Sequence, residues 1–282
     1  MLNRFGKIVI TTLGIALAAS AAGAEEQTRT ITVATEGAYA PWNFTEAGGK
    51  LAGYEIDMLA DICPRMKVKC EVIVQDWDGL IPSLNAGKFD AIVAGMLQTE
   101  EREKVITFSR NYGTGSAAFL VRKDSTLANM PVGKQIDMGK DKEAAKDAAA
   151  EMLPFMDGMV IGAQGSTTAG QIMAELFPTI EFREYKTTEQ HDLDLEAGRV
   201  DGVMASPVAL DKALEKIGAD QVAFAGTEFT GGPLGGGQSV GLRKDDADLK
   251  KLFDDAINAA IADGTLSRLA IKWFKRDISP KT

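Results

Sequence analysis

Apolar and polar positions alternate along this chain with two different periods, and the switches between them mark out its elements. In ITVAT (31–35) apolar residues alternate with threonine, the period-two spacing of a half-buried strand. Gly53 to Met66 places Ile56, Leu59, Ala60 and Cys63 at helical spacing, and CEVIVQ returns to a strand. Leu80, Ile81 and Leu84 predict a short helix over Asp78 to Ala86, which AGK ends with a glycine C-cap. FDAIVAGM reads as a buried strand. The second half repeats this order: MVIGAQ (159–164) is a strand, GSTTAGQIMAELF opens a helix, IEFREY is a strand, EQHDLDLEAGR is a helix with its cap, and GVMAS is a strand. Helices alternating with buried strands predict an α/β layer architecture with largely parallel sheets.

Two phrases more than a hundred residues apart are near copies. SLNAGKFDAIVAGM (Ser83 to Met96) and LDLEAGRVDGVMAS (Leu193 to Ser206) each run from a helix end through a glycine turn, a basic residue, a hydrophobe and an Asp into a buried strand. The repetition predicts two similar lobes with a ligand between them. AAFLVRKDS (117–125) and SVGLRKDDA (239–247) read as paired extended segments where the chain passes between lobes. Lobe 1 is then discontinuous, 28–117 with 243–282, around lobe 2 at 118–242. Between the halves, KDKEAAKDAAAEM reads as a charged, solvated helix without chemistry. Near the end, Leu249, Leu252, Phe253, Ile257 and Ile261 share one helical face, which Gly264 closes. Leu266, Leu269, Trp273 and Phe274 share another, and both stripes read as core packing.

The first residues depart from this grammar. Arg4 and Lys7 precede an apolar run from Ile8 to Ala19, and Ala22-Gly23-Ala24 is a small-residue cleavage site, the layout of a secretory signal cut after Ala24. The competing reading is a membrane anchor, but a run of about 12 residues falls short of the roughly 20 a spanning helix needs. Cleavage leaves 29 basic against 40 acidic residues, a net charge of −11, which opposes binding to nucleic-acid phosphates or anionic membranes. Hydrophobic and charged fractions of 45% and 25% are those of a globular protein with material for two cores. The chain's two cysteines, Cys63 and Cys70, flank a short turn, and export would carry them to an oxidising compartment, so a local disulfide is predicted. A zinc site would need further ligands nearby.

ITVATEGAYAPWNFTEAGGKLAGYEIDMLADIC, DWDGLIPSLNAGKFDAIVAGMLQTEEREKVITFS and GTLSRLAIKWF together resemble the periplasmic solute-binding proteins of family 3, the polar amino-acid and opine class. The resemblance runs from about Ile31 to Pro280. Within the class it leans toward the nopaline- and octopine-binding members, including a lengthened segment after Arg122. It implies a type II periplasmic binding-protein fold: two α/β lobes, two hinge strands and a ligand clamped in the cleft.

The resemblance also implies a site. Arg102, in QTEEREK, matches an Arg that grips a ligand carboxylate, for which a planar guanidinium offers two parallel bonds that Lys does not. From pattern alone EEREK looks like a solvated helix in which Arg102 pairs with a neighbouring Glu. Ala94, Gly95 and Leu97 match strand-end positions that present backbone groups, with Leu97 replacing the small or hydroxyl residue usual there. Glu36 matches an acid facing a cationic side chain, which Tyr39 and Trp77 sandwich; capping of APWNF by Glu36 and core packing of the two rings are the plainer alternatives. Ser166 and Thr167 stand at a helix start, suited to an anion or simply to N-capping. Ser206 falls where many members carry an Asp for the ligand ammonium. A neutral hydroxyl there disfavours a free amino acid and favours an opine, whose secondary amine already carries a second carboxylate. Asp194, Glu189 or another acid replacing the lost charge is the alternative.

Among the weaker features, GGPLGGG (231–237) lacks the frame of a phosphate loop and reads as a flexible approach to the second hinge. His191, among polar residues on a helix, reads as solvated. The expected protein is a monomeric periplasmic component of an ABC transporter. It delivers an opine-like or arginine-like solute to an inner-membrane permease, with no cofactor, metal or nucleic acid and no enzymatic activity. The rivals are a binder of free basic or polar amino acids and a cyclohexadienyl dehydratase-like enzyme, in which Glu36 would be the acid or base.

Overall fold

A computed structural model describes residues 29–281, and the predicted signal segment and its cleavage site lie outside them. The described strands form two main sheets. The first has the order Val68–Val74, Arg29–Thr35, Ala91–Ile92, Gly241–Leu242 and Thr107–Phe108. Its first two pairings are parallel, and Gly241–Leu242 runs antiparallel to both neighbours. The second has the order Glu181–Tyr185, Val160–Gln164, Gly202–Ala205, Ser116–Arg122, Val222–Thr230 and Gln135–Asp137. Here Ser116–Arg122 is antiparallel to both neighbours and the other pairings are parallel. Each sheet has its own core, with Val33, Met58, Ile62, Phe253 and Ile257 in the first and Phe119, Met152, Ile161, Ile172 and Phe229 in the second. The fold is thus the expected two-lobed α/β arrangement.

The repeated phrase has a repeated task. Asp90 accepts the N–H of Thr32 at 2.9 Å and donates its own N–H to the Thr32 carbonyl at 2.8 Å. Asp201 accepts the N–H of Val160 at 2.8 Å and donates to the Val160 carbonyl at 2.9 Å. Each Asp pins the start of its strand to the neighbouring strand, which fixes register where one residue of slip would turn every side chain to the wrong face. Both pinned strands then end at the cleft, one at Ala94 and Gly95, the other at Ala205 and Ser206.

Several expectations are corrected. The two RKD-ending segments do not pair with each other, because each is an apolar central strand of a different sheet. The crossings meet instead at Gly113 and Gln238, where Tyr112 N–H donates to the Gln238 carbonyl at 2.8 Å and Gln238 N–H to the Gly113 carbonyl at 3.1 Å. Since Gly241–Leu242 belongs to the first sheet, the return crossing precedes Gly241 and does not follow Leu242. In helix Tyr54–Arg65 the buried face is Tyr54, Met58 and Ile62 with Glu55, Leu59 and Cys63, so Ala60 points outward and Ile56 is only half-buried. Helix Lys142–Met156 is not fully solvated: its alanines 145, 148 and 149 and its Met152 and Met156 lie buried in the second lobe. GGPLGGG is not a loose tether either. Gly235 has φ +60, and a Cβ there would fall 1.6 Å from the Gln98 carbonyl oxygen, so only glycine fits that approach.

Cys63 and Cys70 form the predicted disulfide, with their Cα atoms 6.0 Å apart. It joins the end of helix Tyr54–Arg65 to strand Val68–Val74. Among the described residues, no helix is long and apolar enough to cross a membrane.

Candidate functional site

The lobes meet around a cavity. Nine of the ten residues expected at the site line it: Glu36, Tyr39, Trp77, Ala94, Gly95, Leu97, Arg102, Thr167 and Ser206. The tenth, Ser166, reaches the site through its backbone. It adopts φ +57, and its carbonyl accepts from Arg102 Nη2 and from Trp77 Nε1, both at 3.3 Å.

Arg102 does not pair with the glutamates beside it. Glu101 holds Lys104 at 2.5 Å and Gln98 donates to Glu103 at 2.6 Å, which leaves the guanidinium free to turn inward from its short helix. Thr99 caps that helix, its hydroxyl accepting the Arg102 N–H at 3.3 Å. Nη1 donates to the Leu97 carbonyl at 2.9 Å, and the guanidinium carbon sits 5.2 Å from the centre of the Trp77 ring. Burial pulls its pKa down to about 10, so the group stays charged at neutral pH. Among the described residues it forms no ion pair. A half-buried cation held by two carbonyls and a ring has the chemistry to take an anion.

Glu36 is its opposite. The side chain is 5% exposed, accepts from Gln164 Nε2 at 2.6 Å, and has a second oxygen, Oε2, buried without a partner. Burial is the main cause that pushes its pKa up to about 7; Glu55, Asp76 and Asp78 add to the rise, and the Gln164 bond opposes it. A cation placed beside it would favour the ionised form.

The aromatic expectation is met in part. Trp77 stacks on the protein's own Arg102, not on an open slot. Tyr39 donates its hydroxyl to Ser206 Oγ across the cleft at 2.8 Å. It also packs on Gly95, whose φ of +63 and lack of a Cβ leave room for the ring; a Cβ would meet it at 2.8 Å. Gly95 itself is corrected as a solute donor, because its N–H is taken by the Glu55 carboxylate at 2.6 Å. Thr167 is the N-cap residue of helix Thr168–Leu176, but its hydroxyl turns back to the Gln164 carbonyl at 2.7 Å and caps no N–H. The first turn of that helix therefore faces the cavity through Thr168 and Ala169.

Neither proposed replacement for the missing charge reaches Ser206. Asp194 is held by Arg199 at 2.7 Å and by the Tyr185 hydroxyl at 2.6 Å, and Glu189 lies 3.5 Å from Lys216. Glu36 and Arg102 are the acid and base of the described lining. His191 is 1% exposed and packs edge-on to Tyr185 at 6.2 Å, so the solvated reading fails: the polar run around it hid an inward-facing helix position.

Sequence reasoning missed Gln164, Thr188, Leu234 and Gln238, all of which line the cavity. Gln164 ends strand Val160–Gln164 just as Ala94 follows Ala91–Ile92, so the strand-end logic applied to the first phrase would have found it. Thr188 Oγ1 donates to the Ala38 carbonyl at 3.4 Å, and at the rim Lys186 pairs with Asp76 at 2.7 Å. With the lobes so joined the free volume is about 70 Å³.

Residues 31–276 match the family model of bacterial extracellular solute-binding proteins, family 3. The octopine-binding periplasmic protein of Rhizobium meliloti is 43% identical, covering 94% of this chain and 97% of that one. The L-arginine-binding protein of Pseudomonas aeruginosa is 31% identical over 88% of this chain and 89% of its own. A periplasmic His/Glu/Gln/Arg/opine family-binding protein from Silicibacter pomeroyi, solved in complex with lysine, superposes with a TM-score of 0.70. It is 29% identical and covers 89% of this chain and all of that one. Sequence, fold and cleft thus agree that the chain belongs to the bacterial extracellular solute-binding proteins, family 3.

Proposed function

We propose that this protein receives an opine-like solute, an N-carboxyalkyl derivative of a basic amino acid, in its interlobe cleft and hands it to the permease of an ABC importer. It would act as a periplasmic monomer after removal of a leader ending at Ala24. The observation that carries the reading is the lining's charge pattern: one guanidinium at Arg102, unpaired among the described residues, one acid at Glu36, and a neutral hydroxyl at Ser206. A solute carboxylate fits Arg102, a second carboxylate fits the open first turn of helix Thr168–Leu176, and a cationic tail fits Glu36. Free arginine, the second choice, would bring an ammonium to Ser206 with no acid to receive it, which disfavours binding.

Binding by this scheme is a population shift. The solute contacts both lobes, so it binds the closed form more tightly and draws the equilibrium toward it. A micromolar affinity corresponds to about −8 kcal/mol. Two bonds to a charged carboxylate at roughly 1.5–3 kcal/mol each supply a good part of it.

The test is a thermal-shift and calorimetric series with octopine, nopaline, arginine, lysine, histidine and glutamine, since ligand bound to the native state raises its stability. The expected order puts octopine or nopaline above arginine, and equal or stronger stabilisation by arginine would remove the Ser206 argument. Turnover of prephenate or arogenate is expected to be nil; measurable product would make the protein an enzyme on the same scaffold.

A further inference from the structure

Among the described residues, one buried acid lies outside the cavity lining. Glu55 is 0% exposed, in the first turn of helix Tyr54–Arg65, and forms no ion pair among the described residues. Its carboxylate accepts three hydrogen bonds, from Gly95 N–H at 2.6 Å, from Asn43 Nδ2 at 2.6 Å and from the Tyr112 hydroxyl. Each donor belongs to a different working part. Gly95 lies in the strand end between Ala94 and Leu97. Asn43 uses its Oδ1 to accept Gly37 N–H at 2.7 Å, which closes the turn carrying Glu36 and Tyr39. Tyr112 precedes Gly113, where the two crossings pair at Gln238.

Burying a carboxylate without a cation opposes folding, and a hydrophobic side chain would fill this place more favourably if packing were its role. Burial raises the acid above the usual carboxylate range, while the three bonds pull it back down. The first-turn location adds the favourable end of the helix dipole. What the acid uniquely supplies is an acceptor that three separate segments can share.

The geometry points to Glu55 as a positioning residue for solute binding: without touching the solute, it ties the Glu36–Tyr39 turn, the Ala94–Leu97 strand end and the hinge crossing to one anionic acceptor. The inference rests on the cleft being the solute site. It differs from a lining role in a measurable way. A lining residue changes the ratio of affinities between solutes, whereas a residue that sets the geometry of the whole cleft changes them together.

The experiment uses Glu55→Gln in the full protein, which keeps the size but turns one acceptor into a donor. Octopine and arginine affinities are expected to fall by a common factor of about 10 or more. Amide hydrogen exchange at Gly95 and Gly37 is expected to speed up together. Adding Asn43→Asp restores a donor–acceptor pair between the two side chains, and is expected to recover Gly37 protection and most of the affinity. Affinities within about twofold of wild type in a folded Glu55→Gln variant overturn the proposal. So does a changed octopine-to-arginine ratio, or a double variant that regains stability without affinity. If wild type binds neither probe, the cleft reading has failed. The exchange data then judge Glu55 alone, and unchanged exchange at Gly37 overturns the tie. Should Glu55→Gln not fold, Tyr112→Phe takes its place, with a loss of about threefold or more expected from removing one of the three bonds to the carboxylate and unchanged affinity counting against the proposal.

Discussion

The two lobes share a grammar but bring different chemistry to the cleft. The first contributes its charges and rings, Glu36, Tyr39, Trp77 and Arg102, while the second contributes neutral groups: the Ser166 carbonyl, the Gln164 amide, the Ser206 hydroxyl and a helix start. With charge on one side and neutral donors and acceptors on the other, the proposed reading makes the first lobe the capturing face and the second the closing one. On the proposed reading, a solute held by Arg102 and Glu36 would dock before closure, and its fit to Gln164, Thr168 and Ser206 would set how firmly the lobes stay together.

The hardest break in this comparison is Arg102→Lys. It removes the planar fork and its stacking on Trp77, and a loss of about 100-fold in octopine affinity is expected from two charge-assisted bonds reduced to one. Unchanged affinity in calorimetry would move the carboxylate elsewhere. Next is pH. Glu36 has its native pKa raised to about 7, so a cationic solute tail must displace a proton at lower pH. Affinity is expected to fall by up to about tenfold per unit below pH 7, and to be flat in Glu36→Gln. The same shift has a sign for the free protein. The native state binds the extra proton between the ordinary carboxylate pKa of 4.5 and about 7, so this stabilisation is present below that window and is lost as pH rises through 7. A melting temperature measured without solute should therefore decline from pH 5 to pH 8 in wild type and stay level in Glu36→Gln.

Ser206→Asp sharpens the comparison by giving the closing lobe a charge. Arginine affinity is expected to rise and octopine affinity to fall, moving their ratio by about tenfold, the order of one charge-assisted contact. A ratio that does not move would show that the amine lies away from Ser206. The smallest effect is expected from Thr188→Val. It removes one long hydrogen bond between the lobes, and a change of about twofold in affinity should appear without a loss of stability in denaturant unfolding.

Much of this was legible because pattern and backbone obey the same rules. The duplicated phrase located both cleft-facing strand ends, since an Asp that pins a strand leaves the same trace wherever it is used. Arg102 was legible only through the resemblance, because a short helix of glutamates looks solvated until its one inward turn is seen. The rest depended on partners distant in sequence. Nothing near Gly95 announces that its N–H belongs to Glu55, forty positions away. His191 sits among polar neighbours, yet its helix position faces Tyr185. The register of helix Tyr54–Arg65 was misjudged because Glu55 sits on its buried face, and an inward acid breaks the rule by which apolar spacing is read.

The paired aspartates at 90 and 201 divide labour within each strand. Each anchors the entry by bonding both main-chain groups of one residue on the neighbouring strand, through its carboxylate and its own N–H, and none of these bonds involves a side chain at the exit. On the proposed reading, the cleft-facing ends at Ala94–Leu97 and Ala205–Ser206 can be exchanged while the strand entries stay pinned, so one scaffold can be retuned from one nutrient to another by a handful of exchanges at its rims.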